Sequence, residues 1–225
     1  MRGRVRQLLT VALGATMILS RQPAAAAREA SRTKTVLVLG DSLSEGFRLN
    51  PQDAWPALVA DRLRGIDPGF HVVNASVSGS TSAGGWRRLP SYLNRPVDIF
   101  IVELGVNDAF RGVTVDEIRG NLQAIIDKVR AKNPGVAVIV VGMQFPIAGA
   151  DDDYVVAFGR MFSDVAEKNR AALVPYLLAG VAGDPMLNLE DRIHPNAAGH
   201  RILAQTVWQV LEPIARGVAK GVGTR

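Results

Sequence analysis

The chain has 225 residues, 48% of them apolar, with 26 basic side chains, 21 acidic ones and no cysteine. At this length folding buries roughly 70% of the unfolded surface, so one sizeable core forms without disulfides or structural metal. Zero cysteine excludes thiol catalysis and Cys-ligated zinc or iron–sulfur sites. The formal charge of +5 points to nucleic acid or a membrane surface only where it clusters on the folded domain.

Much of that charge sits in a leader. Arg2, Arg4 and Arg6 precede an apolar stretch from Leu8 to about Ser20, followed by Arg21, Gln22, Pro23 and the alanines Ala24 to Ala27. A basic start, a short apolar centre and an A-x-A-like end form the grammar of a secretory signal peptide over residues 1–27. The centre is shorter than the ~20 residues a bilayer-spanning helix needs. The competing reading is an uncleaved amphipathic anchor. From Arg28 onward the chain carries 22 basic and 21 acidic residues, a net charge of +1. No nucleic-acid partner is therefore expected, and no stable membrane anchor once the leader is removed.

After the leader, β-branched runs alternate with segments of helical period. Thr35 to Leu39 reads as a strand, about Gln52 to Leu63 as a helix, and Phe70 to Asn74 and Asp98 to Glu103 as strands. Val115 to Lys132 puts Ile118, Leu122, Ile125, Ile126 and Val129 on one helical face, with Thr114 and Glu117 as a capping box. Asn133, Pro134 and Gly135 stop it. Val136 to Val141 is the next strand, Asp151 to Asp153 reads as a helix start with acids at the positive end of the dipole, and Ala172 to Pro175 is a last strand. A final helix runs from about Asn196 to Arg216, with Leu203, Val207, Val210, Leu211 and Ile214 inward. Nearly continuous apolar strands joined by helices predict a parallel sheet covered on both faces, a three-layer α/β/α sandwich in one domain over residues 28–225.

In such sheets chemistry gathers at the carboxyl ends of the strands. Gly40, Asp41 and Ser42 follow the first strand, Ser78 and Gly79 the second, and Gly105, Asn107 and Asp108 the third; Asp191 and His194 precede the last helix. A serine hydroxyl becomes a nucleophile only when a base takes its proton, and histidine suits that task near neutrality. Asp191, three residues before His194, is close enough to fix the imidazole tautomer while the other ring nitrogen faces Ser42. The backbone N–H groups of Ser42 and Gly79 and the side-chain amide of Asn107 are candidate donors for an oxyanion. Asp41 is expected to hold the nucleophile turn and Asp108 to orient a loop.

The blocks G-D-S-L (Gly40 to Leu43), S-V-S-G-S-T around Gly79, G-V-N-D (Gly105 to Asp108) and D-R-I-H-P (Asp191 to Pro195) resemble the four signature blocks of the SGNH/GDSL hydrolase family. The resemblance extends from about Lys34 to Pro213 and is strongest to its arylesterase, thioesterase I and lysophospholipase subgroup. It implies a flavodoxin-like sheet of five parallel strands, a periplasmic or secreted location, and hydrolysis of acyl esters and thioesters without a cofactor or metal. Carried over by position, it implies Ser42 as nucleophile, Ser42, Gly79 and Asn107 as oxyanion donors, and Asp191 and His194 as acid and base. By the same resemblance Phe110, in the Ala109 to Val113 loop, and Pro146, in the Met143 to Asp153 segment, are expected beside the acyl chain. Arg192 stands where many members have glycine.

His71 and His200 are expected to be surface or capping residues, and Trp55, Trp86 and Trp208 core or edge anchors. The run Gly79 to Gly85 lacks the G-K-[ST] ending of a phosphate-binding loop. A small-molecule acyl ester or thioester is the expected partner of a monomer. Two rivals remain at this stage: a carbohydrate O-acetylesterase on the same scaffold, and a noncatalytic glycan- or lipid-binding module.

Overall fold

A computed structural model describes residues 32–144 and 150–221. The predicted leader and Pro146 lie outside the described residues. Five strands, β1 (Lys34–Gly40), β2 (Phe70–Asn74), β3 (Ile99–Glu103), β4 (Ala137–Val141) and β5 (Ala172–Val174), form one sheet in the order β2-β1-β3-β4-β5. Every pairing is parallel. The strands are written in Val, Ile, Leu and Phe because both faces are covered, and β3 and β4 are buried along their whole length.

Right-handed crossovers decide where the helices go. The step from β1 to β2 runs one way along the sheet and those from β3 to β4 and β5 run the other, so their helices cover opposite faces. Accordingly α2 (Trp55–Ile66) packs on the last helix α7 (Ala197–Ala219), while α3 (Ser82–Arg88) packs on α5 (Val115–Lys132) and α5 on α6 (Asp152–Lys168). The predicted inner face of α5 is buried at all five positions. Its start is capped by Thr114, whose hydroxyl accepts the Glu117 N–H, and α6 starts where expected, with Asp151 accepting the Tyr154 N–H.

Two one-turn helices complete the architecture, α1 (Ser42–Glu45) after β1 and α4 (Val106–Ala109) after β3. The polypeptide leaves β1 for a neighbour on one side and later returns to β3 on the other. The crevice above the carboxyl ends of β1 and β3 is thus the topological switch point, where open α/β sheets bind ligands. α1 and α4 stand on its two sides.

His200 departs from expectation. It is 1% exposed, its Nδ1 accepts the Trp55 N–H at 3.1 Å, and burial pulls its imidazole down to about 4. The cause is positional: His200 lies in phase with Leu203, Val207 and Leu211 on the inward face of α7. His71 is exposed, Trp55 is fully buried, Trp208 is half-buried, and Trp86 is exposed beneath the Lys128 ammonium at 4.1 Å. The Gly79 to Gly85 run is not a loop throughout, because Thr81 caps α3 and Gly85 lies inside it. A Cβ at Gly85 would stand 2.3 Å from Leu104, so this glycine lets the helix approach the sheet.

Candidate active site

Ser42 is the first residue of α1. The Asp41 carboxylate caps that turn by accepting the Leu43 N–H at 3.0 Å, and Gly46 closes it in the left-handed conformation at φ +86°. The serine is 8% exposed. Its hydroxyl meets His194 Nε2 at 3.0 Å, and His194 Nδ1 meets Asp191 Oδ2 at 2.8 Å. With the ring proton on Nδ1 and donated to the carboxylate, Nε2 is left to accept from the serine.

The loop carrying Asp191 and His194 is built locally. Asp191 Oδ1 accepts the N–H groups of Ile193 and His194, each at 3.0 Å, and Leu189 N–H donates to the His194 carbonyl at 2.7 Å. Burial would raise the Asp191 carboxyl, but the His194 amide, the imidazole and the Ile193 amide outweigh it and hold the group at about 2. Arg192 takes the left-handed φ of +57°. Glycine adopts that conformation without the cost a side chain brings. Asn196 then caps α7 through the Ala198 and Gly199 N–H groups. One face of the His194 ring is covered by Phe47, with ring centroids 4.3 Å apart, and the Arg48 guanidinium lies 5.0 Å from the Phe47 centroid.

Asn107, in α4, donates its side-chain amide to Asp41 Oδ2 at 2.9 Å. That bond uses one of its two N–H groups. Gly79 sits at φ +73°, a conformation suited to glycine, and its carbonyl accepts Arg111 Nη2 at 3.0 Å. The preceding turn is pinned where Ser78 N–H donates to Glu45 at 2.8 Å. Asp108 is buried and accepts both the N–H and the hydroxyl of Ser82, at 2.7 and 2.6 Å, which ties α4 to the start of α3. The structure thus brings together two hydrogen-bonded sets, Ser42–His194–Asp191 and Asn107–Asp41, joined where Asp41 precedes Ser42 in the chain, with Gly79 on the neighbouring turn.

A cavity of about 220 Å³ opens beside Ser42 and His194. Its walls are apolar: Leu43, Val106, Phe110, Met143, Leu178 and Ile193. Phe110 and Ile193 are 48% and 44% exposed and form the mouth. Larger hollows of about 600 and 760 Å³ lie toward the amino-terminal ends of the strands and beside β2. They are remote from the serine and histidine. Among the described residues no cluster of three metal-ligating side chains occurs.

Two contributors to this site carry no motif of their own. Arg88 donates from Nε to the Ala75 carbonyl at 2.9 Å and from Nη2 to the Gly40 carbonyl at 2.6 Å, joining the ends of β2 and β1. Phe47 is the other. Its only sequence signal is its place one residue after the glycine that ends α1.

An open parallel sheet with a serine, a histidine, an aspartate and a placed amide at its switch point defines an α/β acyl hydrolase. The chain belongs to the GDSL-like lipase/acylhydrolase family, whose pattern matches residues 38–202, and it is an ester hydrolase. It is 37% identical to Esterase TesA of Pseudomonas aeruginosa over 212 residues, covering 93% of this chain and all of that one. It is 33% identical over 186 residues to the Escherichia coli K12 protein named thioesterase 1/protease 1/lysophospholipase L1, covering 82% and 86% of the two chains. A crystal structure of TesA superposes with a TM-score of 0.75 at 38% identity, over 80% of this chain and 99% of that one.

Proposed function

We propose that the chain is an exported serine esterase that hydrolyses carboxylic esters and thioesters with short to medium acyl groups. The observation that carries the mechanism is the continuous path Ser42 Oγ to His194 Nε2, 3.0 Å, and His194 Nδ1 to Asp191 Oδ2, 2.8 Å. His194 takes the Ser42 proton as Oγ attacks the acyl carbonyl, and Asp191 stabilises the imidazolium. The carbonyl oxygen gains charge in front of the Ser42 and Gly79 N–H groups and the second Asn107 amide N–H. Collapse passes the proton from His194 to the leaving alcohol or thiol. Water, activated by the same imidazole, then releases the acid and restores Ser42. The original Ser42 proton thus leaves with the alcohol or thiol, and water supplies both the hydroxyl of the released acid and the proton that returns to Ser42 through His194.

The apolar cavity supports an acyl group rather than a sugar as the bound portion. Its volume lies below the ~300–1,000 Å³ of sites that enclose drug-sized ligands, so the alcohol or thiol portion stays outside. The relatives' names support both ester and thioester chemistry. The leader grammar of residues 1–27 supports export, and no helix among the described residues is long and apolar enough to cross a membrane. Ser42→Ala is expected to abolish hydrolysis of p-nitrophenyl butyrate and labelling by a fluorophosphonate; retention of full activity would overturn the mechanism. A chain-length series of esters and acyl thioesters, run beside acetylated xylan, tests the substrate class.

A further inference from the structure

Beneath the Ser42 turn lies a second buried acid that the hydrolytic steps above do not use. Glu103, the last residue of β3, is 2% exposed. Its Oε2 accepts the Asp41 N–H at 3.2 Å and the Ser44 hydroxyl at 2.7 Å. Both partners flank the nucleophile, one residue before it and two after. Gly40 makes the approach possible, since a Cβ there would stand 2.7 Å from Glu103 Oε2 and from the Ser44 side chain. Register places Gly40 directly opposite Glu103 across the β1–β3 pairing. The Asp41 carboxyl, within reach of Glu103, is in turn the acceptor for Asn107.

Resting on the esterase reading above, we propose that Glu103 is a positioning residue for this hydrolysis. It grips the Asp41 amide and the Ser44 hydroxyl from below, which fixes the nucleophile turn and, through Asp41, aims the Asn107 amide at the oxyanion. The charged groups around it are few. Asp41 is the nearby acid, with Asp108 on the far side of Asp41, and Arg88 is the nearby cation, whose charged form burial disfavours and the Asp41 charge favours. Two carboxyls buried within reach of one another do not ionise together. Burial first, and the Asp41 charge second, raise the Glu103 carboxyl well above the usual range. Burial also raises Asp41, to about 7, so the pair favours the proton on Glu103, a neutral hydrogen-bonding strut, while Asp41 receives the Leu43 and Asn107 donors.

A neutral strut has a neutral isostere. Glu103→Ala is expected to lower kcat for p-nitrophenyl butyrate by about 30–100-fold with KM changed less than about 3-fold, because a misaimed donor costs transition-state binding alone. Glu103→Gln is expected to recover kcat to within about 5-fold of the parent, since its amide keeps an acceptor for Ser44 and Asp41 and adds no charge. Thermal melts report whether each variant is folded. Should Glu103→Ala fail to fold, Ser44→Ala decides, with an expected 3–10-fold fall in kcat and unchanged KM, about the worth of one hydrogen bond. The proposal is overturned by a folded Glu103→Ala with parental kcat, by a Glu103→Gln as impaired as the alanine variant, or by a parental Ser44→Ala where the alanine variant is unfolded. Ser42→Ala run in parallel separates the two readings: if it remains active the esterase mechanism fails, whereas its inactivity beside a parental Glu103→Ala refutes only the role of Glu103.

Discussion

Asn107→Ala is the sharpest perturbation of the proposed oxyanion site, because it removes one donor of three and leaves Ser42, His194 and Asp191 untouched. The Asn107 amide is fixed before substrate arrives: one N–H is held by Asp41 at 2.9 Å, which orients the other. A donor preorganised in this way costs no rearrangement as charge develops. Loss of one such donor costs about 2.7–4 kcal/mol of transition-state stabilisation, and at about 1.36 kcal/mol per decade that is a 100–1000-fold fall in kcat. A ground-state carbonyl interacts weakly with the site, so KM is expected to move less than about 3-fold. The truncation also strips Asp41 of one hydrogen bond, worth about 1 kcal/mol of stability and a 2–4 °C lower Tm for a chain of this size. Steady-state kinetics on p-nitrophenyl butyrate with a parallel thermal melt measure all three quantities. A kcat within 3-fold of the parent in a folded Asn107→Ala would refute the placement of the oxyanion.

Two further outcomes are expected. His200 is held neutral in the fold, at about 4 against an ordinary value of 6.5, so the unfolded chain binds more protons between those limits. Stability from this group is therefore complete above about pH 6.5 and falls as pH drops toward 4, by about 3 kcal/mol in all; urea titrations at pH 7.5 and 4.5 measure it, and a His200→Gln variant with the same pH dependence as the parent would refute the assignment. Leu178→Trp fills the wall of the 220 Å³ cavity. Excluding two methylenes from burial costs about 1.6 kcal/mol, so the octanoyl-to-acetyl ratio of kcat/KM is expected to fall about 15-fold; an unchanged ratio would place the acyl chain elsewhere.

All five strands are legible from the amino-acid order because each is a short β-branched run between turn residues. The inner face of α5 is legible because five apolar residues keep its period. The turns that hold the chemistry are not legible as helices. α1 and α4 have four residues each, too few for periodicity, and they carry Ser, Asn and Asp between flanking glycines, which read as loop. The location of Ser42, Asn107, Asp191 and His194 at strand and helix ends is visible nonetheless, since it depends only on element order. His200 is ambiguous in sequence: its spacing from Leu203, Val207 and Leu211 marks an inward position, but a histidine next to a helix start also fits a cap. Glu103 carries no local signal at all. Its meaning arises when β1 and β3 pair and Gly40 comes to lie opposite it.

Ser42 and His194 are 152 residues apart, one at the first strand and the other just before the last helix. Nothing short of docking α7 and its preceding loop brings the imidazole to the serine. A growing chain therefore has no assembled nucleophile, however much of the sheet has formed. If the leader directs the chain across a membrane before it folds, esters and thioesters on the near side are spared by topology alone, with no inhibitory segment required. The first turnover then marks the end of folding, and ester hydrolysis becomes a clock for when the two ends of the chain have met.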